Sequence, residues 1–305
     1  MRERPGLIVA PLTPFTADLV VDEVSLQRQI DYIIDDCNAS MIVAAGVEAQ
    51  EYAYLSMDQR KLLIKRTIEF VAGRRPVMVG ISHPSFRTAI ELAHYGNDCG
   101  AAAVQALAPL RAHGGPPSDG DLVGYFEAIA REASLPVGLY LNPGPGADVS
   151  IPATIAIAQL DNVSFIKESS RDLGRVSRLI VEIDHAGHAK YFTTMQMLLI
   201  TLALGGSGAT MPPPAAEIAK HVIDAFMADD YQRAAQCQLQ FALFPSRWMH
   251  RGLAPTMKAA MRLIGLPVGE VFPPYASLNN EEVAALAAFL RTTVLTHRER
   301  FHVNN

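Results

Sequence analysis

The chain is poor in cysteine. Its three cysteines, Cys37, Cys99 and Cys237, are odd in number and far apart in sequence. This pattern excludes a disulfide framework and lacks the spacing of a structural zinc site. Such cysteine usage is typical of a reducing compartment, so we expect a cytoplasmic protein.

The chain also lacks basic runs, long apolar runs and clustered histidines. The formal net charge is −5 and Lys and Arg form no stripe, so we predict no nucleic-acid partner. No stretch of about 18 uncharged apolar residues occurs, and we expect neither a membrane span nor a signal peptide. The nine histidines form no His-x-x-x-His pair, so we predict no metal and no other cofactor.

What the chain does have is a regular alternation of short β-branched runs with segments whose apolar residues recur every 3.6 positions. Eight such repeats predict a (β/α)8 barrel. An open doubly wound sheet is the alternative, but its first turn is usually rich in glycine and residues 10–15 contain none. The predicted strands are 7–12, 40–45, 76–81, 102–106, 137–141, 163–167, 190–193 and 208–211.

Helical patterns lie in six of the seven gaps between the strands. Four more follow the last strand, the first of which completes the barrel. With no linker in sight, we predict a barrel over residues 1–228 and a helical extension over 229–305 that packs on it. Ser56, Ser118 or Asp119, and Ser150 are expected N-caps. The predicted helices are 23–37, 57–71, 86–98, 119–132, 152–159, 175–183, 215–227, 231–244, 256–263 and 280–293.

Two residues at predicted strand ends carry candidate chemistry. Strand 163–167 ends on Lys167, and burying an ammonium is costly unless it is paired or neutralised. A lysine where a buried strand meets a polar loop is therefore a candidate nucleophile for Schiff-base formation. Tyr140 ends the neighbouring strand and is a candidate proton shuttle. The alternatives are a lysine whose head reaches water and a tyrosine that packs at the barrel rim.

The other strand ends offer further polar side chains. In a barrel of this kind the active site lies at the carboxyl ends of the strands. Residues 205–208 are rich in glycine and suggest a phosphate cradle, although tight packing is the commoner use of such a turn. The candidates at these ends are Thr13, Glu48, Glu51, Ser82, His83, Arg111, His113, Asn142, Thr193, Thr194 and Gln196.

Seven motifs in order give the chain its likeness to a known family. They are the Ala-Pro-Leu-Thr-Pro-Phe run at 10–15, Glu51 with Leu55-Ser56, Tyr140-x-x-Pro143, Phe165-Ile166-Lys167-Glu168, Gly205-Gly206-x-Gly208-Ala209, Met257-Lys258-Ala259-Ala260, and Phe272-Pro273-Pro274-Tyr275. On these marks the chain resembles the dihydrodipicolinate synthase / N-acetylneuraminate lyase superfamily of class I aldolases. The resemblance implies a barrel enzyme, a homotetramer or dimer, that joins Lys167 to a 2-oxo acid with Tyr140 as proton shuttle. It predicts a substrate site formed by Thr13, Glu48, Ala49, Arg111, Asn142, Ser207 and Ala209.

The chain departs from the family in the loop after strand two. That loop usually reads Gly-Thr-Thr-Gly-Glu and holds the substrate carboxylate, but here it is Val47-Glu48-Ala49-Gln50-Glu51. Both hydroxyls are lost, and Glu48 repels a 2-oxo acid unless it is protonated or turned away. Arg111 could replace the missing positive character, directly or by pairing with Glu48; a solvent-facing arginine is the alternative.

These patterns lead to one functional hypothesis and one alternative. We predict a lyase in which Lys167 forms a Schiff base with a 2-oxo acid or related carbonyl compound. Aldol cleavage, condensation or dehydration then follows, on a substrate unlike that of the lysine-pathway synthase or ordinary sialic acid lyase. The alternative is a non-catalytic relative that binds a small molecule with a degenerate carboxylate loop.

Overall fold

Eight parallel strands close into a barrel in the order in which they occur along the chain. The computed structural model describes residues 3–47, 51–111, 113–266 and 268–296. This closed parallel sheet with surrounding helices confirms the predicted (β/α)8 fold. The strands are β1 Gly6–Val9, β2 Met41–Ala44, β3 Val77–Gly80, β4 Ala103–Leu107, β5 Val137–Leu141, β6 Val163–Glu168, β7 Lys190–Thr193 and β8 Gly208–Met211.

Helices follow the strands, and further helices follow the last one. Their bounds are α1 Glu23–Asp35, α2 Met57–Val71, α3 Phe86–Asp98, α4 Asp119–Glu132, α5 Ile151–Ala158, α6 Leu173–Leu179, α7 Leu198–Ala203, α8 Ala215–Met227, α9 Tyr231–Gln238, α10 Leu253–Leu263 and α11 Asn280–Leu290. The apolar spacing did not single out α7, because its six residues are too few to show a helical period. Helix α6 begins earlier than predicted and continues as a π-helix over Ile180–His185.

The strand residues are buried because helices cover the sheet from outside while side chains fill it from inside. Every residue of β3, β4, β5 and β8 is buried. This double burial explains why these strands read as continuous apolar runs rather than as alternating patterns.

The predicted N-caps fix where three helices begin. Ser56 accepts a hydrogen bond from the Gln59 amide and closes a capping box at α2. Of the two candidates for α4, the structure selects Ser118, and Ser150 caps α5. Each such cap is worth about 1 kcal/mol.

The described residues fall into two compact units. One unit comprises the chain up to Arg75 and from Met211 onward, and the other runs from Pro76 to Thr210. Within the first unit α9 packs on α8, and α10 contacts α11. The predicted division at residue 228 stays a prediction. In the described part of the chain, no helix has the length and apolar character needed to cross a membrane.

Gly146 permits a close approach between two segments of the second unit. A Cβ atom at this position would lie 2.7 Å from Leu107 Cγ and 2.8 Å from the Ala108 carbonyl oxygen. The Gly146 amide also donates to the Asn142 carbonyl at 2.9 Å, which fixes the turn after β5. Only glycine therefore fits here without moving backbone.

We predict that Gly146→Ala lowers the free energy of unfolding by about 1–3 kcal/mol, because the added methyl group overpacks against β4. Gly124→Ala is the matched control, since Gly124 is exposed in α4 and its Cβ position has no neighbour within 4 Å. This control should be stabilising by about 0.5–1 kcal/mol. Urea denaturation measures both values, and equal effects would contradict the packing argument.

Candidate active site

A one-residue bulge sets Lys167 opposite Tyr140. Strand β6 pairs with β5 as Val137↔Val163 and then as Gly138↔Phe165, so Ser164 is an extra residue in β6. Beyond the bulge the register continues to Tyr140↔Lys167. Without the extra residue, Tyr140 would instead align with Ile166. Because paired residues of neighbouring strands point to the same face of a sheet, the bulge brings the phenol and the amine together.

The amine of Lys167 is buried against the ring of Tyr140. Lys167 is only 4% exposed, and its Nζ lies 3.9 Å from the centroid of the Tyr140 ring. Both residues end up at the carboxyl ends of their strands, as the sequence predicted. An amine held in such a place is oriented by its surroundings rather than by water.

Two further polar side chains complete this group. Lys167 Nζ donates a hydrogen bond to Ser169 Oγ at 2.6 Å, and Ser169 Oγ donates to Tyr140 Oη at 3.4 Å. Asn142 Nδ2 donates to the same phenol oxygen at 3.2 Å. We call Lys167, Tyr140, Ser169 and Asn142 the lysine cluster.

Ser169 was not among the predicted site residues, although a signal for it exists. Residues i and i+2 of a strand point to the same face, so any continuation of β6 places Ser169 beside Lys167. The Ser169 amide donates to the Leu141 carbonyl at 2.9 Å and continues the ladder between β5 and β6. The predicted strand ended at Lys167 and left Ser169 in a loop, so this signal was missed.

An ion pair behind the strand holds this segment in place. Glu168 is 1% exposed and accepts hydrogen bonds from Arg175 Nε of α6 at 2.7 Å and from the Ser170 amide at 2.9 Å. Arg175 also reaches Thr154 Oγ1 at 3.4 Å. The chain is thus tied down directly after Lys167, on the opposite side from the lysine cluster.

A second buried lysine lies in the other unit, paired with Glu51. The Lys258 amine lies 2.6 Å from the Glu51 carboxylate, and both side chains are 1% exposed. The Thr13 amide donates to Glu51 Oε2 at 2.9 Å, and Lys258 Nζ donates to the Glu270 carbonyl at 2.8 Å. Glu51 and Lys258 are called the buried pair below.

Burial acts on both members of the buried pair. It raises the pKa of Glu51, with Lys258 and the Thr13 amide opposing the shift, and lowers the pKa of Lys258, with Glu51 opposing. Both shifts point toward the neutral forms because desolvation outweighs the attraction. The pair fixes Glu51, the last residue of the predicted carboxylate loop. Glu48 and Ala49 themselves lie outside the described residues, and their roles stay predictions.

The remaining predicted site residues have partners outside the lysine cluster. Arg111 Nη2 donates to Asp121 at 2.5 Å at the exposed start of α4. The amide and hydroxyl of Ser207 both donate to the Asp184 carboxylate, at 2.9 and 2.7 Å. The glycine-rich turn before β8 therefore holds a carboxylate of the chain itself. Ala209 is buried in β8 opposite Thr193.

Within the described ranges, no group of three or more His, Cys, Asp or Glu side chains is arranged to hold a metal ion. The lysine cluster presents an amine, two hydroxyl groups and a side-chain amide. This combination suits attack on a carbonyl group with local proton transfer.

Comparison with known proteins identifies the family. A model of the dihydrodipicolinate synthetase family matches residues 3–293, nearly the whole chain. The chain belongs to this family. Its members include class I, Schiff-base-forming aldolases.

Three relatives illustrate how far the likeness extends. The 4-hydroxy-tetrahydrodipicolinate synthase of Bacillus velezensis is 30% identical over 298 residues, which cover 93% of this chain and 98% of that protein. The crystal structure of a putative dihydrodipicolinate synthetase from Pseudomonas aeruginosa is 27% identical, with a TM-score of 0.86 and coverage of 95% and 99%. YagE, a prophage protein of the same family from E. coli K12, solved in complex with pyruvate, is 25% identical, with a TM-score of 0.87 and coverage of 96% and 98%. The chain therefore shares the family and the fold of these relatives.

We predict that Lys258→Met lowers the free energy of unfolding by about 3–5 kcal/mol at neutral pH, because it leaves the Glu51 carboxylate buried without its cation. The double variant Glu51→Gln with Lys258→Met is the control and should recover most of the loss. Urea denaturation measures both.

This loss should also depend on pH in a defined direction. The pKa of Glu51 is raised in the folded state, so protonation of Glu51 favours the folded state. The loss of unfolding free energy in Lys258→Met should therefore grow as the pH rises above the pKa that Glu51 has in the unfolded chain. Denaturation of the single variant between about pH 4 and pH 7 should therefore show the penalty shrinking toward acid. A loss under about 1 kcal/mol at every pH would contradict the claim that Glu51 is costly to bury as a carboxylate without Lys258.

Proposed function

We propose that this protein is a class I aldolase-type lyase in which Lys167 forms a Schiff base with a 2-oxo acid or related carbonyl substrate. The observation that carries the proposal is the lysine cluster, where a buried amine, a serine and a phenol form one hydrogen-bonded chain. The family supports it, as does a structural relative solved with pyruvate.

In the proposed reaction the Lys167 amine adds to the carbonyl carbon, and water leaves to give a protonated imine. The cationic imine draws electrons from the adjacent carbon, so that a carbon–carbon bond there breaks or forms, or water is eliminated. Tyr140 gives and takes the protons that these steps need, with Asn142 orienting its hydroxyl.

The altered loop after β2 bears on the substrate rather than on the imine. We propose that the carboxylate contacts differ from those of relatives named 4-hydroxy-tetrahydrodipicolinate synthase, because residues 48 and 49 are Glu and Ala. The roles of Thr13, Arg111, Ser207 and Ala209 in binding, a homo-oligomeric state and a cytoplasmic location also stand as proposals.

The first test is covalent trapping. We predict that pyruvate and sodium borohydride together leave a reduced adduct, which peptide mass spectrometry locates at Lys167. Lys167→Ala should abolish it. Lys190→Ala, which removes an exposed lysine at the start of the neighbouring β7, should leave it intact. If a panel of 2-oxo acids gives no adduct, or the adduct lies on another lysine, the proposed function is wrong.

The second test removes one oxygen atom from the site. We predict that Tyr140→Phe keeps the ring under the amine but slows imine formation by about 10²–10⁴-fold, since it deletes the proton shuttle. Stopped reactions, quenched with borohydride at increasing times, give the rate. Unchanged kinetics in this variant would exclude Tyr140 as the shuttle.

A further inference from the structure

We infer that Ser169 is a catalytic residue that carries a proton between Lys167 and Tyr140 while the imine forms. This inference rests on the proposed function and adds a residue to it. It follows from the positions of three atoms, Nζ, Oγ and Oη, and from the way in which the backbone holds the serine.

The amine is placed over the face of the tyrosine ring, with its Nζ 3.9 Å from the centroid. A ring face attracts a cation but takes up no proton, so this contact orients the amine without accepting its hydrogen. The hydrogen bond from Nζ goes instead to Ser169 Oγ at 2.6 Å. The serine is therefore a proton acceptor within hydrogen-bond distance of the attacking nitrogen.

A serine hydroxyl can both accept and donate a hydrogen bond, and the Ser169 hydroxyl does both. It accepts a hydrogen bond from Lys167 and donates one to Tyr140 Oη at 3.4 Å, a distance that a small movement of either side chain would shorten. Asn142 donates to the same phenol oxygen and steadies it from another side. The donors thus run from the amine through the serine to the phenol.

The proton balance of the step is complete without any added reagent. The free amine forms a C–N bond with the carbonyl carbon, and the C=O π electrons move to oxygen. The new ammonium gives a proton to Ser169 Oγ, Ser169 gives its own to Tyr140, and Tyr140 gives its own to the alkoxide. Each hydroxyl gains and loses one proton, leaving a neutral carbinolamine. Loss of its hydroxyl with one proton from solvent gives water and the protonated imine.

The backbone holds Ser169 in place from two directions. Its amide donates to the Leu141 carbonyl at 2.9 Å, which keeps the serine in strand geometry on the same face as Lys167. The preceding Glu168 is held by Arg175, and the following amide of Ser170 by Glu168. A hydroxyl fixed in this way is pre-organised for transfer.

The test measures imine formation with pyruvate as the probe, using borohydride quenching and quantification of the Lys167 adduct by mass spectrometry. Ser169→Ala should form the imine about 10²-fold more slowly. Ser169→Thr, which keeps the hydroxyl, should stay close to the wild-type rate. Ser170→Ala is the matched control: the Ser170 hydroxyl accepts from the Asp172 amide, and its change should leave the rate unaltered.

A double variant separates a relay from a structural role. If both hydroxyls serve one proton path, Ser169→Ala with Tyr140→Phe should be about as slow as the slower single variant. Thermal unfolding of each variant checks that the fold is kept.

Three outcomes would overturn the inference. Ser169→Ala could form the imine as fast as Ser170→Ala, or the two rate losses could multiply in the double variant; in either case the proposed function survives and the relay does not. If the wild-type protein forms no adduct at Lys167, both fail together.

Discussion

The bulge at Ser164 is the constraint on which the proposed chemistry depends. It shifts β6 by one residue against β5, so that Lys167 rather than Ile166 lies opposite Tyr140. A slip of one residue turns a strand's side chains to the other face, and the amine would then leave the phenol. The same ladder continues to Ser169 through the Leu141 carbonyl. One register therefore places the nucleophile, the shuttle and the serine between them.

Much of the fold could be predicted from local pattern, because the strands are short, mostly apolar runs and every gap between them except the one before β8 shows a helical period. The meeting of Lys167 and Tyr140 could be predicted too, since the two residues end neighbouring strands. Ser169 was missed because the predicted strand stopped at Lys167. Its i+2 spacing from Lys167 is informative only if the strand continues, and the hydrogen bond from its amide to the Leu141 carbonyl shows that it does. The bulge could not be predicted from the sequence either, because Ser164 is an extra residue only with respect to its pairing with β5.

Two of the residues proposed to bind substrate have partners within the chain. Ser207 and its amide bind Asp184, and Arg111 pairs with Asp121. A substrate that binds at Arg111 or Ser207 must share or displace these contacts. The buried pair of Glu51 and Lys258 is another contact within the chain. The Lys258 amine, whose pKa burial lowers, is bound to a carboxylate and to a carbonyl. Lys258 is paired with a carboxylate, whereas the buried Lys167 donates to the hydroxyl of Ser169.

The most direct measurement of the central claim is a crystal structure of the protein after incubation with pyruvate and cyanoborohydride. The account predicts continuous density from Lys167 Nζ to the former carbonyl carbon. It also predicts that Ser169 Oγ and Tyr140 Oη lie within hydrogen-bond distance of the nitrogen atom in the new C–N bond. Density for pyruvate that is covalently joined to another residue, or an adduct at Lys167 from which both hydroxyls have turned away, would contradict it.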